Sequence, residues 1–418
     1  MQTWEPRVVA NGGNAGPAAL EVAQRLQRGL PEANGTRDAS LACGEAGLAI
    51  LYGYFDRCFP GAGWDKIAHQ AILRATQTIA AGQPIGLFGG LSGLAYAAWY
   101  LSHGETRYLR ARTAIEDALI PQAVAFAQTL ATKSGMAVEE FDVVSGISGV
   151  AAYLLGRTSD DRARQAVESI LGAMVAILAR DEPAPKWHTP ADLISARQMI
   201  GKFPDGNLNC GLAHGLPGML SVLALASSQG VEAPGQRETL HRWAYWLKAR
   251  HMPDQWGGSW PAAVSVGSTP APVPAPSGWC YGNPGVARTL WLAGNALDDS
   301  CLRETALDAI RAVYQRPVSR RGISSPTFCH GVSGLLHITL RFANDTGLPD
   351  FADAADALLG QLLKSFAEDS VFGFRAYDSE ARLVDSPALL DGAAGVALVL
   401  LAVTSDQDPS WDRIFLLS

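Results

Sequence analysis

The sequence predicts an all-α fold, a closed (α/α) toroid of seven helical-hairpin repeats with seven inner and seven outer helices and small insertions. Three observations predict it. A Gly-x-x-Gly turn recurs seven times, each copy opens an apolar segment, and amphipathic segments stand between the copies.

The turns are Gly44/Gly47, Gly90/Gly93, Gly146/Gly149, Gly215/Gly218, Gly282/Gly285, Gly331/Gly334 and Gly392/Gly395. Their starts are roughly 45 to 70 residues apart, the range of helical-hairpin repeats with insertions. The segments that follow, such as GLAYAAWYL, GMLSVLALA and GVALVLLAV, are apolar nearly all round. A helix without a polar face is buried on every side, so these are the inner helices. Segments such as KIAHQAILRATQTIA and RETALDAIRAVYQR repeat their apolar residues at three and four, so they are the half-exposed outer ones. The glycines are expected to allow close approach of neighbouring backbones at each turn.

One domain is expected over residues 1–418, with loop-rich insertions near 181–209 and 252–278. Both insertions are rich in Pro, Gly and Trp, and short strands are expected in them. The run STPAPVPAPS in the second is expected to be extended. A lid or a peptide groove is a natural use of such long loops.

Hydrophobic residues make up 48% of the 418 residues and charged ones 17%, a globular composition. A net charge of −7 argues against nucleic-acid binding, which usually shows a basic excess. The N-terminus lacks a charged region followed by an apolar one, so no secretion signal is expected. The longest apolar stretch, 393–403, is too short to span a bilayer. Six cysteines in such a chain read as reduced thiols, suited to metal binding or catalysis in the cytoplasm.

Chemistry enters through the repeat register. The residue before the first glycine is His214 in the fourth repeat, Tyr281 in the fifth and His330 in the sixth. One step earlier stand Cys280 and Cys329. Equivalent turns of a toroid converge on one centre, so Cys280, Cys329 and His330 form a candidate Cys2His set. Thiolate and imidazole ligands suit one zinc ion, and a catalytic zinc keeps three protein ligands and one open position. Such a site lowers the pKa of a bound thiol, and thiolate is the nucleophilic form. Two protein thiolates would leave the set electron-rich, which keeps a third thiolate reactive. The bland reading is that the cysteines are small core residues and the histidine a satisfied polar one.

The turns WCYGNPG (279–285), CHGVSG (329–334), GLAHG (211–215) and LDGAAG (390–395) resemble those of the lantibiotic, or lanthipeptide, cyclase family, the LanC-like proteins. The similarity of pattern runs through all seven repeats, and the tyrosine after Cys280 is like the bacterial class I stand-alone type. The resemblance implies an α/α toroid with zinc on Cys280, Cys329 and His330. It implies intramolecular Michael addition, in which a peptide cysteine adds to dehydroalanine or dehydrobutyrine to give lanthionine or methyllanthionine. His214 matches the family's acid/base histidine, and a group titrating near neutrality suits delivery of a proton to the enolate. Asp142 matches an aspartate upstream of the third turn, where it would orient His214; a helix N-cap is its alternative role. Tyr281 is placed to hydrogen-bond the enolate oxygen or the histidine, with simple ring packing as its alternative. The implied partners are a dehydrated precursor peptide with a leader, a separate dehydratase and a transporter, with the chain peripheral to a membrane-associated complex.

One departure stands out. Members of the nisin-cyclase type carry an arginine four residues before the zinc cysteine, and Pro276 stands here instead. Cys43 and Asp391 also precede a first glycine; a packed thiol and a helix cap are expected of them. Cys58, Cys210 and Cys301 are expected to pack, and the other histidines to be surface or core residues. Two other readings remain: a zinc-dependent thiol-alkylating α/α-barrel enzyme of the protein prenyltransferase kind, and a peptide- or glutathione-binding scaffold with structural zinc. A fourth protein ligand, for instance Cys43, would favour the scaffold.

Overall fold

The computed structural model describes residues 4–5, 12–29, 38–77, 82–104, 106–179, 184–196, 199–267, 272–378 and 380–418. Residues 268–271, the start of the Pro-rich run, lie outside them. Among the described residues the chain is all-α apart from two short antiparallel ribbons.

The seven apolar segments are helices at Glu45–Cys58, Leu91–Tyr100, Ile147–Leu155, Leu216–Ser228, Asn283–Leu297, Val332–Thr346 and Ala393–Thr404. Seven amphipathic helices accompany them, at Gly12–Gly29, Trp64–Gln77, Leu109–Thr132, Asp161–Ile177, Gln236–Lys248, Ser300–Gln315 and Pro349–Leu363. The apolar set is buried almost throughout; in Ala393–Thr404 every residue from Ala393 to Val403 is inside. Each fully buried leucine or valine there contributes about 1.5–3 kcal/mol relative to exposure. The amphipathic set buries one stripe, as in Ser300–Gln315, where Leu302, Ala306, Ala309, Ile310 and Val313 face inward. Asp160 and Asp299 cap two of these helices by accepting from backbone N–H groups of the first turn.

The helices form two compact units. The first comprises 1–83, 88–113 and 323–412. In it the buried helices of repeats six, seven, one and two pack side by side in that order. Helix Gly12–Gly29 packs on Ala393–Thr404, and Trp4 Nε1 donates to the Ser405 carbonyl (3.1 Å), which ties the early chain to the last repeat. The second unit comprises 84–87, 114–322 and 413–418, with the buried helices of repeats three, four and five packed in order.

The glycines do what close packing demands. A Cβ on the second glycine of a turn would collide with the carbonyl oxygen six residues earlier, as at Gly47 with Leu41, Gly149 with Val143 and Gly334 with Phe328. On its other side that glycine meets the preceding repeat: Gly47 meets Leu389, Gly285 meets Leu212 and Gly395 meets Phe328. Gly282 adds a backbone requirement, with φ +86°.

The expected short strands are present in the insertions. β1 (Asn207–Asn209) pairs antiparallel with β2 (Ala263–Ser265), with Asn209 opposite Ala263. Buried tryptophans anchor this ribbon: Trp187 packs against Trp243 and Trp246, and Trp260 Nε1 donates to the Leu247 carbonyl (2.8 Å). A second ribbon pairs β3 (Arg375–Tyr377) with β4 (Leu383–Asp385).

Candidate active site

The turns that open the buried helices are joined by a regular set of backbone hydrogen bonds. In the first unit Cys329 N–H donates to the Leu390 carbonyl, Leu389 and Leu390 donate to Ala42, and Leu41 and Ala42 donate to Phe88, all at 2.9–3.1 Å. In the second unit Val143 donates to Ala213 (2.9 Å) and Ala213 to Cys280 (3.3 Å). Every acceptor lies two residues before a first glycine. Within each unit a turn thus hangs on the next, and the side chains just after these carbonyls keep a fixed register.

In the second unit this register brings Asp142, His214 and Tyr281 together. Asp142 is buried and uses both oxygens. Its Oδ1 accepts from the N–H groups of Ser145 (2.7 Å) and Gly146 (2.9 Å), while its Oδ2 lies 2.9 Å from His214 Nδ1. Of the two roles read from sequence, the histidine partner is present, whereas the helix N-cap is not: the N-cap of Ile147–Leu155 is Gly146, without a side-chain bond, and Asp142 instead ties the turn that precedes it. His214 donates Nδ1–H to the carboxylate, which leaves Nε2 outside this contact, and its side chain is 31% exposed. Burial alone would lower the His214 pKa. The hydrogen bond and charge of Asp142, joined by Cys280 and Glu139, outweigh burial and raise it. The rings of His214 and Tyr281 stand 5.6 Å apart. Tyr281 Oη accepts from Asn209 Nδ2 (3.1 Å), a partner that sequence spacing did not reveal.

In the first unit, Cys329 is buried and the side chain of His330 is about half exposed. Asp391 does not cap its helix. No side chain caps Gly392, and Asp391 Oδ1 instead lies 3.5 Å from His330 Nδ1. Cys43 is not packed either. It is exposed, and its Sγ lies 3.4 Å from both Ser40 Oγ and Asp38 Oδ2. Its partial burial and the carboxylates of Asp38 and Asp391 push the thiol pKa up, against a hydrogen bond from Ser40. Cys301 also departs from expectation, being exposed beside Lys248, whereas Cys210 is buried and its thiol is pushed up to about 12 by burial.

Cys280, Cys329 and His330 are, among the described residues, a donor set that could hold a metal ion. Two thiols and one imidazole are also a donor set that zinc favours. Cys43 is not in this group, and among the described residues no fourth ligand joins it. The position of the family's arginine is not filled from the neighbouring loop by Arg321. The carbonyl of Arg321 accepts from Ser277 N–H (2.8 Å), but its guanidinium donates to the carbonyls of Arg316 and Tyr314.

The description "Lanthionine synthetase C-like protein" matches residues 35–416. The chain belongs to this family. Among lanthionine synthetase C-like relatives, the nisin biosynthesis protein NisC of Lactococcus lactis subsp. lactis is 23% identical over 270 residues. That alignment spans 62% of this chain and 60% of the relative's length. The solved structure of nisin cyclase is 19% identical and superposes with a TM-score of 0.77 over 97% of each chain, so the fold is shared. Among the described residues no helix is long and apolar enough to cross a membrane.

Proposed function

We propose that this chain is a zinc-dependent lanthionine and methyllanthionine synthetase. It would add peptide cysteine thiols to dehydroalanine or dehydrobutyrine within a dehydrated precursor peptide. Family membership supports the reading, and one observation carries it: two thiols and an imidazole at matched turns, a donor set that could hold a metal ion. Cys280, Cys329 and His330 would hold the ion. Zinc, when bound, supplies a Lewis acid that lowers the pKa of a substrate thiol.

The remaining steps belong to the protein's own side chains. Addition of sulfur to the β-carbon moves the alkene electrons to the α-carbon and the carbonyl oxygen. His214, held by Asp142, then delivers a proton from Nε2 to the α-carbon. Tyr281 donates a hydrogen bond to the enolate oxygen while the charge resides there. We propose further that residues 1–418 work as one cyclase domain, in line with the match over 35–416. We place its work in the cytoplasm, on a leader-bearing peptide that a separate dehydratase prepares and a transporter exports.

The test begins with zinc content and a free-thiol count on a dehydrated, cysteine-containing peptide. Loss of thiols with unchanged peptide mass is the expected result for the zinc-loaded protein. An unchanged thiol count with zinc bound sinks the reading. Cys329→Ala is expected to lose both metal and activity; full zinc stoichiometry in that variant refutes the ligand assignment.

A further inference from the structure

We infer that Asn209 is a positioning residue that fixes the direction of the Tyr281 hydroxyl, so that its proton is presented to the reacting carbonyl of the substrate. The inference rests on the cyclase reading for its chemistry, but its geometry stands apart from that reading. Asn209 is buried at the end of β1. Its Oδ1 lies 2.9 Å from the backbone N of Gly211. A backbone N–H can only donate, so the atom facing it must be the amide oxygen. The other end of the carboxamide, 3.1 Å from Tyr281 Oη, is therefore the NH2 group. Asn209 is a donor there and the phenol oxygen is its acceptor. The phenolic proton is thus left for an acceptor other than Asn209. A hydroxyl directed in this way is the kind of preset dipole that stabilises developing negative charge on oxygen.

A second contact holds the ring itself. A Cβ on Gly211 would stand 2.5 Å from the Cys280 carbonyl oxygen and 2.5 Å from Cδ1 of Tyr281. Asn209 and Gly211 together form a cradle, the first for the hydroxyl and the second for the ring edge. The insertions hold that cradle in place. Asn209 lies opposite Ala263 of β2, and Cys210 N–H donates to the Ala262 carbonyl (2.8 Å). The ribbon built from the two loop-rich segments thereby sets the orientation of a residue in the fifth turn.

Asn209→Asp tests the polarity, because a carboxylate still accepts from Gly211 N–H but would take the proton of Tyr281. We expect kcat to fall by roughly 10²-fold, with KM within about twofold and zinc content unchanged. Tyr281→Phe should cost a similar factor, and the double variant should be no slower than Tyr281→Phe alone. A wild-type kcat in Asn209→Asp overturns the inference and leaves the cyclase reading standing. So does a full second loss when Asn209→Asp is placed in the Tyr281→Phe background. Asn209→Ser provides a second variant if the aspartate does not fold, with the same dependence on Tyr281. A readout without activity completes the test. The side-chain amide resonance of Asn209, identified by its loss in the Asn209 variant, should shift in Tyr281→Phe. An unmoved resonance overturns the hydrogen bond whatever the protein catalyses.

Discussion

Two histidine–aspartate pairs in this molecule have nearly the same contact geometry and opposite surroundings. His214 and Asp142 meet at 2.9 Å between two turns of the second unit, with the imidazole 31% exposed and the carboxylate buried. His337 and Asp412 meet at 2.7 Å inside the first unit, and both are fully buried. The difference lies in the company each carboxylate keeps. Asp142 spends its second oxygen on the neutral N–H groups of its own turn. The same oxygen of Asp412 that meets His337 also accepts from Arg341 Nε at 2.5 Å, and Trp4 covers that guanidinium at 4.9 Å. A permanent cation saturates the core pair, whereas the turn pair keeps a histidine nitrogen that solvent or substrate can reach. Pair distance says little about role; access and the third partner decide it.

The comparison predicts a crossed pattern of loss. His214→Asn should lower the cyclisation rate by roughly 10²–10⁴-fold, the range for removal of a general acid, and leave the thermal midpoint within a few degrees. A large fall in midpoint would place that pair with the core pair. Asp412→Asn should do the reverse. It removes the buried counter-charge of Arg341 and leaves it only the half-exposed Asp408, 3.5 Å away, which costs up to about 3–5 kcal/mol. Urea unfolding should show this loss, while the rate per folded molecule stays near wild type. A rate collapse in a folded Asp412→Asn sample would break the distinction.

The pairs were not equally legible in the sequence. The repeat register put His214, Tyr281 and His330 at equivalent positions and set Cys280 level with Cys329. Within each unit the backbone bonds from turn to turn give that register a physical basis, since a turn there donates to the carbonyl two residues before the next first glycine. The seven apolar and seven amphipathic helices were legible for the same reason, because burial imposes its period on the residues. Asn209 was not, because its partner Tyr281 lies 72 positions away and meets it only once β1 and β2 pair. Nor was the burial of His337, Arg341 and Asp412: a polar residue inside an apolar helix shows neither the charge nor the distance of what it meets. Asp391 and Cys43 were misread by the general habits of their residue types. A carboxylate before a helix is usually a cap, yet Asp391 lies nearer the imidazole of His330, and Cys43 is drawn outward to Ser40 and Asp38.

The smallest expected effect separates the pairs by the sign of their pH dependence. Burial alone would raise the Asp412 pKa, but Arg341 and His337 hold it well below the usual carboxylate range. A depressed folded pKa contributes stability that is present above the unfolded value, about 3.9, and is lost as pH falls below it. The stability gap between wild type and Asp412→Asn should therefore be constant near neutrality and narrow in acid. His214 has a raised folded pKa. Its contribution is present below the unfolded value, about 6.5, and is lost as pH rises through the folded one. The gap between wild type and Asp142→Asn should then narrow on the alkaline side instead. Urea midpoints for the three proteins from about pH 3 to pH 9 measure both gaps. Narrowing of both on the same side would mean that one carboxylate has been assigned the wrong charge partner. Opposite narrowing would tie the core pair to its arginine and the turn pair to a histidine that still titrates.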